Sequence, residues 1–338
     1  MRSLVISRAA LGFGVVGVAA LGLALVVSLL GGVLMPSYLA AWLFCLGVPV
    51  GALAVLMALE IAGAPLAPVA APLRGVAAAM PVLAVLALPV LLRAGALFGP
   101  DRATFGFVLR AVVILAAWTV LSLIFMRPPP QPGGLRRGVA VGGLAVHMVI
   151  GTVAATDWAE MLDPGLGSSV FGLLLMMSQC GAAVSAAVLL SACNARPWVA
   201  PRGLAALFLS LLGIWMFLEF TQFLTVWSAN LPNEVTWYQR RDAGWGTVLE
   251  WTAVGACLTA LFLLLPRRYE VLTTSLAFAA GAVLVAHVIE AFWLVTPAFR
   301  NRMGITLADL LALCGLGGLL IGACLALGRW TEDRVGRA

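Results

Sequence analysis

Long apolar stretches alternate with short polar breaks along the whole chain. At 1.5 Å rise per residue, a helix needs about 20 apolar residues to cross the hydrocarbon core of a bilayer. On that length the pattern predicts ten spans, near 9–33, 37–62, 75–99, 105–126, 138–162, 168–193, 203–230, 246–266, 271–296 and 303–328. The first stretch is long enough to span and ends without a small-residue cleavage pattern, so it reads as a helix rather than a removed signal peptide. Ten spans place both termini on one side of the membrane. The run Arg127-Pro-Pro-Pro-Gln-Pro-Gly-Gly-Leu-Arg-Arg137 cannot be helical and reads as a loop after the fourth span. No connection between spans is long enough to fold as a soluble domain.

Composition makes the membrane assignment firm. Hydrophobic residues make up 63% of the 338 and charged residues only 10%, with a mean hydropathy of +1.08. That is far more apolar surface than one soluble core of this length buries. The chain is thus expected to be all-α and polytopic, with the lipid bilayer as its solvent.

Charge then sets orientation. The 20 cations are all arginines, scattered singly or in pairs between apolar stretches instead of forming a basic face, so no nucleic-acid partner is expected. Arg2, Arg8, Arg74, Arg127, Arg136, Arg137, Arg196, Arg202, Arg267, Arg268, Arg329, Arg334 and Arg337 fall on the side of the N-terminus, against Arg102, Arg240, Arg241, Arg300 and Arg302 opposite. By the positive-inside rule the termini are cytoplasmic and the opposite face is the outer one. Trp158, Trp227, Trp237 and Trp245 at the outer boundary, with Trp198 and Trp330 at the inner one, match an interfacial aromatic belt.

Ionisable side chains inside spans cost several kcal/mol unless they face protein, water or a partner, so their placement is the most informative chemistry in the sequence. Asp157 ends the fifth predicted helix, Glu219 and Gln222 lie past the midpoint of the seventh, and His287 and Glu290 lie near the outer end of the ninth. Arg93, Arg110, Glu250 and Asp309 also fall in the outer half, while His147 and Glu60 belong to the inner half. His287 and Glu290 are three residues apart, as are Glu219 and Gln222, so each pair shares a helix face. Two readings stay open here: acids and arginines neutralising one another as structural pairs, or a quinone-headgroup pocket or proton half-channel.

Other chemistries find little support. Cys45, Cys180, Cys193, Cys257, Cys314 and Cys324 all lie in apolar runs, without a C-x-x-C pair or haem-attachment motif, and read as helix-packing residues. His147 and His287 differ by roughly 10 Å in depth along their helices, too far for a bis-histidine haem. Neither a metalloprotease, a nucleophile-elbow nor a phosphate-loop motif occurs. The chain therefore carries no complete catalytic site, haem or iron–sulfur ligand set of its own.

Three segments go beyond composition. Residues 157–172, DWAEMLDPGLGSSVFG, are similar to the D-W-x-x-S-L-D-P-x-x-x-S-T-x-x-G segment of the F subunit of alternative complex III, an NrfD-like membrane subunit. Residues 219–240, EFTQFLTVWSANLPNEVTWYQR, resemble that family's F-S-Q-F-x-x-x-W-x-x-N-x-P-E-E-x-x-W-Y-x-x-R run, with Asn233 in place of the first glutamate. Residues 288–297, VIEAFWLVTP, resemble its closing D-x-Y-W-L-V-x-P, with Glu290 for the aspartate. The resemblance runs from about Gly138 to Pro297 and is topological before that.

That resemblance implies a first helix (1–35), two four-helix bundles (36–162 and 163–298) and a last helix with a cytoplasmic tail (299–338). It implies an integral subunit of a quinol:cytochrome c oxidoreductase in a bacterial inner membrane, contributing to quinone binding, assembly and proton movement. Its partners would be a sister NrfD-like subunit, iron–sulfur and cytochrome c subunits and, in some assemblies, a haem-copper oxidase, which carry the electrons. The residues pointing to quinone or proton chemistry are His147, Asp157, Glu219, Gln222, His287 and Glu290. Asn230, Pro232, Glu234, Trp237, Tyr238 and Arg240 belong to a polar outer loop expected to cap the bundle or contact another subunit. A reading from a different class is a proton- or ion-coupled secondary transporter, with Asp157, Glu219, His287 and Glu290 as a relay.

Overall fold

The computed structural model describes residues 8–29, 34–64, 67–99, 105–127, 134–192, 202–265, 273–300 and 302–335. Among these about 89% of the chain is helical, with no strand and a single isolated bridge between Gly244 and Met303. Ten helical segments are long and apolar enough to cross a membrane, so the protein is an all-α polytopic membrane protein. Several expectations fall outside the described residues: the prolines at 128–133, Cys193, Trp198, the side chain of Trp330, and many of the arginines used for orientation (Arg2, Arg102, Arg196, Arg267, Arg268 and Arg337, with the side chains of Arg202, Arg329 and Arg334).

The spans are α1 (Arg8–Leu29), α2 (Leu34–Ala62), a broken third span, α7 (Phe105–Phe125), α8 (Gly134–Trp158), α9 (Phe171–Ala192), α10 (Arg202–Ala229), α12 (Gly246–Leu264), α13 (Thr273–Val295) and α15 (Leu307–Val335). The third span was expected near 75–99 as one helix. It begins earlier and is broken into α3 (Ala67–Ala78), α4 (Met80–Val85), α5 (Leu88–Leu92) and α6 (Ala94–Phe98). Pro81 and Pro89 open α4 and α5 within their first two residues. Proline has no N–H to continue the preceding helix but is pre-set for a first turn, so each one restarts the helix.

A second departure lies between α10 and α12. The segment expected as a polar loop is the helix α11 (Pro232–Asp242). Pro232 starts it, Glu234 lies in its first turn and Arg240 and Arg241 in its last, which is how charges complement a helix dipole. Asn230 supplies the sharp exit from α10 with φ +50°, a left-handed conformation that asparagine tolerates. A shorter helix, α14 (Pro297–Arg300), follows α13.

Helices α2 and α9 lie at the centre and pack against each other. Contact is so close that a Cβ on Gly51 of α2 would meet the Gln179 carbonyl oxygen of α9 at 2.0 Å. Around them, α3, α7 and α8 pack on α2, whereas α10 and α13 pack on α9, and α12 packs on α13. Helices α1 and α15 pack as a pair through small residues. A Cβ on Gly17 would lie 2.7 Å from the Gly315 carbonyl oxygen, and one on Gly318 would lie 3.0 Å from the Cα of Gly17. In lipid no water drives helices together, so close backbone approach of this kind supplies the attraction. Of the six cysteines, expected as helix-packing residues, Cys45, Cys180, Cys257 and Cys324 are buried, but Cys314 is exposed on α15.

Candidate functional site

The polar residues sort into clamps that tie the fold together and one cluster that lines open space. At the end of the bundle where α11 lies, Asp163 accepts hydrogen bonds from Arg240 at 2.7 Å and Arg241 at 3.0 Å. Arg241 is 1% exposed and also donates to the carbonyls of Trp237 and Leu294, with its guanidinium 3.3 Å from the Trp237 ring centre. Burial pulls the Arg241 pKa down to about 10, with the Asp163 hydrogen bond working against it, so the side chain is charged at neutral pH. On α15, Asp309 accepts from both terminal nitrogens of Arg300, which also reaches Ser37 on α2. Glu60 pairs with Arg136 at 3.3 Å at the opposite end.

Three of the sequence-predicted site residues lie apart from the cluster that lines open space and make contacts of their own. Asp157 pairs with Arg110 at 2.5 Å. Gln222 accepts a short hydrogen bond from Ser168, in the turn that Glu160 holds through Thr156 and the Ser168 backbone N–H. His147 is 1% exposed, and its Nδ1 accepts from the Trp118 indole at 3.1 Å. That nitrogen therefore carries no proton, and the neutral ring holds its hydrogen on Nε2. Glu219 and Gln222, expected on one face, meet different partners: Gln222 bonds Ser168, whereas Glu219 lies beside Glu290 and Trp215.

Glu219, His287 and Glu290 do come together. His287 and Glu290 of α13 sit one helical turn apart, with His287 Nδ1 3.0 Å from Glu290 Oε2. Ser178 of α9 donates a short hydrogen bond to the same Oε2, and its Oγ lies 2.9 Å from His287 Nδ1. Since serine has one hydrogen and gives it to Glu290, Nδ1 carries a hydrogen here and donates to Oγ, whereas in His147 Nδ1 is the acceptor. The other oxygen, Glu290 Oε1, accepts from the Trp215 indole of α10 at 3.1 Å, and the Trp215 ring packs edge-on against His287 with centres 4.4 Å apart. The Glu219 carboxyl lies beside both Glu290 and the Trp215 indole. Two carboxyls so placed can hold a proton between them.

Gly181 explains how His287 fits. A Cβ there would lie 2.7 Å from His287 Nε2, so the imidazole occupies the notch that the glycine leaves on α9.

This cluster borders a cleft of ≈ 320 Å³ between α10, α12 and α13. Its polar groups are Glu219, Glu250, Glu290, Tyr238 and the indoles of Trp215 and Trp293; its walls are Met216, Phe220, Phe223, Val254 and Ile289. Burial and then the nearby Glu219 carboxyl push the Tyr238 phenol above its usual range, so it stays a neutral O–H. Phe220, Phe223 and Val254, all exposed, form the rim. The opening therefore faces the hydrocarbon layer. Ser178, Trp215 and Trp293 were missed in the sequence. Ser178-Gln179, two polar residues amid the apolar run of α9, was the available signal.

Among the described residues no group of three or more His, Cys, Asp or Glu side chains is arranged to hold a metal ion. The residues expected in the outer loop lie at the start of or within α11, or, as Asn230, just before it; Trp237 is buried under Trp293 with ring centres 5.3 Å apart, and Tyr238 reaches the cleft. Neither a protein-family model nor a curated protein matches this chain.

Proposed function

We propose that this chain is an integral membrane subunit of a quinol-oxidising respiratory complex resembling alternative complex III, and that it takes a quinone or quinol headgroup in the cleft between α10, α12 and α13. The observation that carries the reading is the cleft itself. It opens toward lipid, has apolar and aromatic walls, and gathers three carboxyls, a phenol and two indoles around one space. A quinone reaches its site through hydrocarbon, needs an apolar slot for its ring and tail, and exchanges protons at its two oxygens. Glu219 and Glu290 are the proton-exchanging groups, and Tyr238 is a neutral donor for a ring oxygen.

The segments that resemble the F subunit support the same reading, because they contain Glu219, Tyr238, Glu290 and Trp293. Electrons would pass through partners: a sister NrfD-like subunit, iron–sulfur and cytochrome c subunits and, in some assemblies, a haem-copper oxidase. The membrane would be a bacterial inner membrane with both termini cytoplasmic, which puts α11 on the outer face, where the partners' soluble parts dock.

The test is a gentle affinity purification of the tagged chain from its native membranes, read by mass spectrometry and redox difference spectra, with a photoreactive quinone added. Co-purifying cytochrome c and iron–sulfur polypeptides, with label on α10 or α13, are expected. A chain that comes alone, colourless and unlabelled overturns the reading, and proton uptake by the pure chain in liposomes would then favour a transporter.

A further inference from the structure

A second cavity, of ≈ 40 Å³, lies between α2, α8, α9 and α13, where the helices around α2 meet those around α9. Ser178, Gln179, His287 and Glu290 give it polar groups, and Trp118 and Trp158 close its far side. A polar space of that volume has room for about two or three waters, each with partners to bond. Glu290 is the one residue that lines both this cavity and the lipid-facing cleft. Its two oxygens divide accordingly: Oε1 bonds Trp215, a cleft residue, and Oε2 bonds Ser178, a residue of the inner cavity.

We infer that Glu290 is a two-faced proton carrier that connects the cleft to a water site inside the bundle; this rests on the reading of the cleft as a quinone site. A hydroxyl in the cleft, or the neighbouring Glu219 carboxyl, gives its proton to Oε1 of the Glu290 carboxylate and keeps the O–H electron pair. Rotation about Cγ–Cδ turns the protonated oxygen to the inner face. A water in the cavity then takes the proton, and the carboxylate is restored. The titratable groups facing Glu290 are His287 on its own helix, Glu219 on α10, and Cys257 on α12, with Glu250 beside Glu219. Among the described residues no arginine faces this cluster, so no fixed cation pins Glu290 as a carboxylate. His287, held by Ser178 and fitted at Gly181, is a positioning residue that holds whichever Glu290 oxygen faces inward.

The experiment uses the full chain in its purified complex, reconstituted in lipid nanodiscs. With Glu219 and Glu290 holding one proton between them, the carboxylic C=O stretching band of the pair is identified in the infrared by its change in E290Q, and its shift after transfer to D2O is timed. Ala182 and Ala154 line the inner cavity from α9 and α8, and Ala253 lines the cleft from α12. In A182L, or A182V should the larger residue prevent folding, and independently in A154L, deuteration of the band is expected to slow severalfold; A253L leaves it unchanged. Unchanged exchange in the cavity-filling variants, slower exchange only in A253L, or a band that never deuterates each overturn the proposal. Photoreactive quinone is run in parallel. Loss of labelling in the unmodified chain together with slowed exchange in A182L would sink the quinone reading and leave the carrier standing.

Discussion

His287 Nδ1 stands 3.0 Å from Glu290 Oε2, and Ser178 from another helix touches both atoms. The hydroxyl is the only group in this trio that comes from α9, so it ties the carboxyl and imidazole of α13 to the central helix. Replacing it by Ser178→Ala leaves Oε2 with His287 alone and the imidazole with one acceptor fewer. A loss of about 1–3 kcal/mol is expected, the cost of an incompletely paired buried polar group. Thermal unfolding in detergent measures it. A stability equal to that of the unmodified protein would mean the three side chains are not bonded as described.

Gly181→Ala tests the same trio from the other side of the ring. The added methyl carbon would sit 2.7 Å from His287 Nε2, inside van der Waals contact, and neither group is a flexible chain end. His287 must shift away, and with it the hydrogen bonds of Nδ1. The expected outcome is weaker quinone labelling of α13 along with lower stability, while Gly203→Ala, where nothing lies within 4 Å, leaves both unchanged. Labelling undiminished in Gly181→Ala would show that His287 does not position the cleft carboxyl.

The clamp at α11 makes a prediction about charge. Asp163 is 5% exposed and is held by two arginines of unequal burial, with Arg241 hidden and the Arg240 side chain 35% exposed. Removing one member of a buried pair strands the other, which typically costs about 3–5 kcal/mol. Arg241→Ala and Asp163→Asn should each approach that range, with the loss of the Trp237 cation–π contact and two carbonyl partners adding to the first. Arg240→Ala, at a partly solvated position, should cost much less. Denaturation midpoints for the three variants decide the order, and an Arg240 effect as large as that of Arg241 would contradict the geometry.

The ten spans were legible because a hydrophobic run of fixed length is a one-dimensional signal, and the charge alternation needed to pair Asp157, Glu60 and Asp309 with arginines is a composition-level expectation. Which arginine meets which acid was not legible, since Arg110 lies 47 residues from Asp157 and Arg300 reaches Ser37 across 263. Pro81, Pro89 and Pro232 carried signals that went unread: each opens a helix, and together they break the third span and make α11 a helix rather than a loop. The candidate site was half visible. Glu219, His287 and Glu290 stood out as ionisable residues in apolar runs, but Ser178 and Trp215 look like ordinary span residues until α9 and α10 bring them to α13.

Glycine positions give the most direct check on the helix packing, because the chain contains the same substitution in crowded and open settings. At Gly51 a Cβ would lie 2.0 Å from the Gln179 carbonyl oxygen, at Gly17 it would lie 2.7 Å from that of Gly315, and at Gly12 nothing lies within 4 Å. The first two neighbours are backbone and cannot swing aside, so the helices themselves must separate. Because α2 and α9 form the centre of the bundle, Gly51→Ala should be the most damaging of the three, preventing accumulation of folded protein. Gly17→Ala should loosen the α1–α15 pair and leave the rest assembled, seen as faster proteolysis or easier cross-linking of α1 with no change in quinone labelling. Gly12→Ala should be neutral or slightly stabilising, since alanine is favoured over glycine within a helix by about 1 kcal/mol. Equal tolerance of all three substitutions would mean that α2 and α9 do not approach as closely as their backbones do here.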